Sequence, residues 1–168
     1  MLSDKGMAAL KREIEKYPPG KQASAVMAAL HLIQDEQGWV SPEAMRWVAE
    51  ALAMPAVAVE EVATFYARYR TSHPGRYHIS VCTNLPCQLS GGQDFYERLC
   101  RHLGVKNGKS ADGAVTVEAC ECMGACVEAP LALINSQVML GRQNPEDMEA
   151  FMSEVGKIPP FPWKEDGR

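Results

Sequence analysis

Tyr77-His78-Ile79-Ser80-Val81-Cys82-Thr83-Asn84-Leu85-Pro86-Cys87 is the stretch on which the reading of this chain turns. Tyr77, Ile79 and Val81 alternate with His78 and Ser80, the period of a strand with one apolar face, and the strand delivers Cys82 at its end. Asn84 and Pro86 are loop formers, so Cys82 and Cys87 are expected on a strand-to-helix loop.

A second clip, Cys122-Met123-Gly124-Ala125-Cys126, follows after residues 88 to 121, so any site shared by the two clips is assembled by folding. Thiolates gathered in fours are soft, charged ligands for an iron-sulfur cluster or a structural zinc. Spacing alone admits a [2Fe-2S] cluster, a zinc ion, or disulfides and free thiols. Asn84, Pro86 and Gly124 let backbone amides turn toward sulfur, where they stabilise negative charge.

Working outward, Phe95, Leu99 and Leu103 form a helical stripe that stops at Gly104, and Lys106 to Gly113 reads as a surface loop. Val115-Thr116-Val117 is a second strand running into the second clip, so both clips are expected at strand ends, where a rigid sheet holds functional loops. Leu131 to Ile134 and Val138 to Leu140 read as two more strands joined by a tight turn at Asn135 to Gln137. Asn144-Pro145-Glu146-Asp147 caps a last helix that buries Met148, Phe151, Met152 and Val155. Upstream the period is helical. Met7, Leu10 and Ile14, then Val26, Leu30 and Ile33, then Met45, Val48 and Leu52, then Val59, Val62 and Tyr66 mark four helices. Pro18-Pro19-Gly20, Gly38, Ser41-Pro42-Glu43 and Pro55 separate them. Phe65, Tyr66 and Tyr69 are expected in the core of this bundle.

The fold class is therefore α+β: an N-terminal helical bundle (residues 1–72), an α/β domain with a mixed sheet (73–156), and an extended proline-rich tail (157–168) containing Pro159-Pro160-Phe161-Pro162-Trp163. The chain has 168 residues, 46% of them hydrophobic, enough for a real core. Seventeen basic against 21 acidic residues, with no basic run, point away from nucleic acid and membrane surfaces as partners. The opening Met-Leu-Ser-Asp-Lys-Gly lacks a secretory pattern and no apolar run is long enough to span a bilayer, so a reducing cytoplasm is expected and no direct membrane insertion. There, six cysteines argue for metal or redox chemistry over structural disulfides.

Cys100 lies beside the apolar stripe of its helix and reads as a small core residue. His31, His73, His78 and His102 are not spaced to complete a clip, which argues against a Rieske-type site. Neither G-x-G-x-x-G nor G-x-x-x-x-G-K-[ST] occurs, and Gly91-Gly92 alone is a loop signal, so no nucleotide or flavin site is expected on this chain. The compact C-x-x-C of a dithiol oxidoreductase is also missing.

Cys82-x4-Cys87 and Glu121-Cys122-Met123-Gly124-Ala125-Cys126 resemble the clips of the thioredoxin-like [2Fe-2S] subunit family of respiratory NADH:quinone oxidoreductase, complex I. The resemblance extends to Ser24-Ala25-Val26, Gln37-Gly38-Trp39-Val40, Val62-Ala63-Thr64-Phe65-Tyr66 and Ala129-Pro130. Two features depart from the family pattern: Glu61 stands where a glycine often precedes the Val-Ala-Thr-Phe-Tyr run, and Cys120 adds a thiol two residues before a ligand.

The resemblance implies a thioredoxin-like second domain and one [2Fe-2S] cluster on Cys82, Cys87, Cys122 and Cys126, leaving Cys120 outside the ligand set. It also implies a partner, the FMN- and NADH-binding flavoprotein subunit, together with other peripheral-arm subunits. Removing a hydride from NADH is a two-electron step that needs a flavin, whereas a [2Fe-2S] centre exchanges single electrons. The expected role is electron exchange with the partner's FMN, not catalysis alone. The expected location is cytoplasmic, on the cytoplasmic face of the inner membrane through the complex. The equivalent subunit of an NAD-linked formate dehydrogenase or hydrogenase, a free-standing ferredoxin of this type, and a zinc-held structural module are the alternatives. The long helical N-terminal region speaks against the free-standing ferredoxin.

Overall fold

A computed structural model of the chain describes residues 2–161, and within them Pro74 to Phe161 form one compact unit and the residues up to His73 another. The first unit is helical: α1 (Asp4–Ile14), α2 (Val26–Gln37), α3 (Pro42–Leu52) and α4 (Ala56–Phe65). Ser41 caps α3 by accepting a hydrogen bond from the Ala44 amide at 3.1 Å, with Pro42 in the first turn. Ser41→Ala should cost about 1 kcal/mol in a urea titration, the usual value of such a cap. The core of this unit is Leu10, Leu30, Ile33, Val48, Leu52 and Val59, and Met7, expected on the buried stripe of α1, is exposed.

The aromatic cluster after Val62 divides. Tyr69 is buried and its hydroxyl donates to the Met27 carbonyl at 3.0 Å, whereas Phe65 is 80% exposed and Tyr66 is also on the surface. The expectation that all three are core is corrected for Phe65 and Tyr66. The reason is local: Tyr66 adopts extended backbone (φ −91°, ψ 112°), so the helical phase ends and Tyr69 is turned inward by the segment that follows. Buried Gln34 pins that segment, donating to the Arg68 carbonyl (3.0 Å) and accepting from the Arg70 amide (2.7 Å).

The second unit contains β1 (Tyr77–Cys82), α5 (Leu85–Leu89), α6 (Gly92–His102), β2 (Val115–Cys120), β3 (Ala132–Ile134), β4 (Val138–Leu140) and α7 (Met148–Lys157). The sheet runs in the order β2-β1-β3-β4, with β1 and β2 parallel and the other neighbours antiparallel. This is an α+β arrangement with a mixed sheet, as expected from the switch of period near His73. Ile79 and Val81 of β1 and Val115 and Val117 of β2 pack with Phe95 and Leu99 of α6 and Phe151 and Val155 of α7. Phe95 and Phe151 meet edge to face at 5.0 Å. The β3–β4 hairpin turns on Asn135 and Ser136, both left-handed (φ 54° and 56°), closed by the Gln137 amide on the Ile134 carbonyl at 3.0 Å. That is the primed turn that matches strand twist.

Lys157, expected to begin the tail, is the last residue of α7. Beyond it the chain lies on its own unit: the Tyr77 hydroxyl donates to the Ile158 carbonyl (3.1 Å), Asn135 Nδ2 to the Pro159 carbonyl (3.2 Å), and the Phe161 amide to the Arg76 carbonyl (3.2 Å). Pro162 and Trp163 of the expected arm lie outside the described residues.

Candidate metal centre

β1 and β2 are parallel and in register from Tyr77↔Val115 to Cys82↔Cys120, so both strands leave the sheet at the same edge. That edge is where ligand loops collect in sheets of this kind. The first clip begins with the last residue of β1 and the second begins two residues after the last residue of β2. They are tied together there. The Thr83 amide donates to the Cys120 carbonyl at 3.1 Å, and Asn84 Nδ2 donates to Glu121 Oε2 at 3.1 Å.

The first clip is the rigid half. Cys82 donates its amide to the Leu131 carbonyl (3.2 Å), and Cys87 sits in α5 with Asn84 at its N-terminal boundary and Pro86 in its first turn. The expected loop is therefore a strand, a two-residue link and a short helix, because Pro86 is in a position where its missing N–H costs nothing. Cys82 and Cys87 are each 1% exposed and share an apolar cluster with Leu131, against which Cys120, Met123, Ala125 and Ala129 pack.

The second clip is the open half. Cys122 and Cys126 are exposed, and Gly124, left-handed at φ +78°, bends the loop so that its amide donates to Cys122 Sγ at 3.4 Å. Cys126 begins a 3₁₀ turn running to Glu128. Among the described residues, no three His, Cys, Asp or Glu side chains stand close enough to hold a metal ion in their present positions. The other clip sulfurs nevertheless act on Cys87. The Cys87 thiol is pushed up to about 11, first by burial and then by Cys82, which hydrogen-bonds to it, and by Cys126 and Cys122. A thiol whose ionisation is opposed in this way is relieved by a cation, and four sulfurs with a backbone N–H on one of them form a donor set that fits an iron-sulfur cluster. The same set accommodates zinc.

Of the remaining cysteines, Cys100 packs against the core of the second unit, where burial pushes its thiol up. Cys120 is half-buried beside Cys82, its thiol pushed up to about 12 by burial first and then by Cys82 and Glu118. His78 is buried in the sheet against Glu118, 3.3 Å away, and not at the clips.

Residues 10–156 match the thioredoxin-like [2Fe-2S] ferredoxin family. The chain belongs to that family. Membership in a [2Fe-2S] ferredoxin family implies a [2Fe-2S] cluster and sets zinc behind it. A subunit of the NADH-quinone oxidoreductase of Rickettsia conorii is 43% identical over 73% of this chain and 74% of its own length. NADH-quinone oxidoreductase subunit 2 of Thermus thermophilus is 34% identical over 76% of this chain and 71% of its own. An NAD+-reducing [NiFe]-hydrogenase in the air-oxidised state shares the fold, with a TM-score of 0.68 at 23% identity over 80% of this chain and 23% of the hydrogenase chain.

Several residues around the two clips escape a reading of the sequence. Asn84 reads as a loop former and Glu121 only as the residue before the second clip, and their mutual hydrogen bond depends on strand register. Gly92 reads as half of a loop signal, yet it lies against the first clip: a Cβ placed there would stand 2.8 Å from the carbonyl oxygens of both Cys82 and Cys87.

Proposed function

We propose that this chain is the electron-transfer subunit of an NADH:quinone oxidoreductase, with Cys82, Cys87, Cys122 and Cys126 holding one [2Fe-2S] cluster. The observation that carries the reading is the parallel pairing of β1 and β2, which brings two separated cysteine clips to one sheet edge. A bound [2Fe-2S] cluster supplies one-electron exchange. The chain's own residues supply the binding and the setting. Cys82 and Cys87 offer thiolates from a dry, packed wall, and the Gly124 amide donates to the Cys122 sulfur, a contact that favours negative charge on it. Exposed Cys122 and Cys126 leave the other side open.

The partner is an FMN- and NADH-binding flavoprotein subunit, within a peripheral arm of further subunits. Exposed Leu85, Leu89 and Val127 beside the clips support this, since they are apolar surface that a partner would cover. Among the described residues no helix is long and apolar enough to cross a membrane, in keeping with attachment to the cytoplasmic face of the inner membrane through the complex. The 43% identity to a subunit of NADH-quinone oxidoreductase favours this assembly over a hydrogenase, for which the likeness at 23% identity is one of fold.

Anaerobically purified protein is expected to contain about two irons and two acid-labile sulfides per chain and to give a half-integer-spin EPR signal on dithionite reduction. A colourless protein with one zinc would remove the electron-transfer reading and leave a structural module.

A further inference from the structure

We propose that Glu128 and Arg142 position the second clip, Arg142 acting through a strap, Gly141-Arg142-Gln143, that fastens the exposed ligand loop to the end of the β3–β4 hairpin. The inference rests on the reading of Cys126 as a ligand. Cys126 opens the 3₁₀ turn that ends at Glu128, so whatever holds Glu128 sets the place of that sulfur.

The contacts are dense for a surface segment. The Arg142 guanidinium grips the Glu128 carboxylate as a fork, Nε to Oε2 at 2.7 Å and a terminal nitrogen to Oε1 at 3.2 Å. The Arg142 amide donates to the Glu128 carbonyl at 2.6 Å and the Gln143 amide to the Pro130 carbonyl at 2.9 Å, so the fork is backed by two main-chain bonds. Arg142 holds this posture in the left-handed region, at φ +55°, which side chains seldom occupy without compensation. Gly141 completes the approach: a Cβ there would fall 2.6 Å from the Glu128 Cβ. The first clip needs no such device because Cys82 and Cys87 are packed in the interior.

Arg142→Asn tests the strap, because asparagine tolerates left-handed backbone and the change removes the fork alone. Iron release to a chelator from the oxidised protein should be about three- to tenfold faster than in the wild type, at and below the bottom of the roughly 10–100-fold range for residues that orient metal ligands because this ion pair is exposed. High salt should speed release from the wild type and leave Arg142→Asn nearly unaffected, because an exposed ion pair is screened. Exchanging the charges, Glu128→Arg with Arg142→Glu, should move the rate back toward wild type. Wild-type release from Arg142→Asn, or a double variant no better than the single, would overturn the proposal. The failure of the cluster reading is separable. If the wild type takes up no iron and sulfide, amide hydrogen exchange over residues 125–130 of the metal-free protein still decides the strap: faster in Arg142→Asn supports it, unchanged exchange sinks it.

Discussion

Cys126→Ser is expected to leave a folded protein without the visible absorption and the EPR signal of a [2Fe-2S] centre. A serine hydroxyl is a hard donor that hardly ionises at neutral pH, so it replaces neither the charge nor the softness of a thiolate. Cys126 is the informative position because it is exposed, so the substitution costs the fold little. Cys82→Ser should bleach the protein too, but Cys82 is buried, and a hydroxyl there needs a partner in an apolar cluster. Its loss of cluster and its loss of stability arrive together. Cys100→Ser should keep the spectrum, since that thiol belongs to the core packing of the second unit. Cys120→Ser is the sharpest control. Cys120 pairs in register with Cys82 and lies against the same cluster of residues, so proximity alone does not exclude it from the ligand set. Iron and sulfide content of these four variants and of Cys122→Ser, with far-ultraviolet circular dichroism as the check on folding, decides between Cys120 and Cys122. A bleached Cys120→Ser beside a coloured Cys122→Ser would replace Cys122 by Cys120.

The elements that follow one period were legible from the residues themselves. β1 is a clean alternation, α6 and α7 are clean stripes, and Ser41 and Asp147 announce the helices they cap. The meeting of the two clips was legible only as an expectation that both lie at strand ends, because parallel pairing of β1 with β2 is a long-range contact that no local pattern encodes. At Tyr66, prediction from period failed because of a change of backbone state. Counting onward from Val62 puts Tyr66 on the buried face, but the helix ends at Phe65 and the count loses its meaning one residue later. Tyr69 reaches the core by the turn after α4, closed by its own amide on the Tyr66 carbonyl at 3.0 Å and held by Gln34, a contact across more than thirty residues of sequence. The strap at Arg142 and the Asn84–Glu121 bond were invisible for the same reason: each joins segments that become neighbours only in the folded sheet.

Gly92→Ala is expected to damage the same site from behind, without touching a thiol. The added methyl would stand 2.8 Å from the carbonyl oxygens of Cys82 and Cys87 and 3.0 Å from the carbonyl carbon of Cys87. These are backbone atoms of the rigid clip. No flexible side chain is there to swing aside, so the clash is relieved by moving either the start of α6 or the clip itself. Moving α6 disturbs Phe95, which is fully buried against Phe151 in the core of the unit. Moving the clip shifts Cys87, whose helix leads through Ser90 directly into α6, with the Ser90 amide on the Cys87 carbonyl at 3.1 Å. Overpacking of this kind costs about 1–3 kcal/mol. The stability loss should appear in the metal-free protein, and the bound form should also lose iron to a chelator faster and show an altered EPR line shape. Gly91→Ala separates the two ways in which a glycine can matter. Gly91 is left-handed at φ +93°, and a Cβ there meets nothing nearer than Pro145 Cγ at 3.5 Å, so its substitution strains the backbone without pressing on the clip. Equal spectra from the two variants would mean that the absent Cβ of Gly92 has no part in placing the cysteines; a perturbed spectrum for Gly92→Ala alone would make it a positioning residue of the first clip.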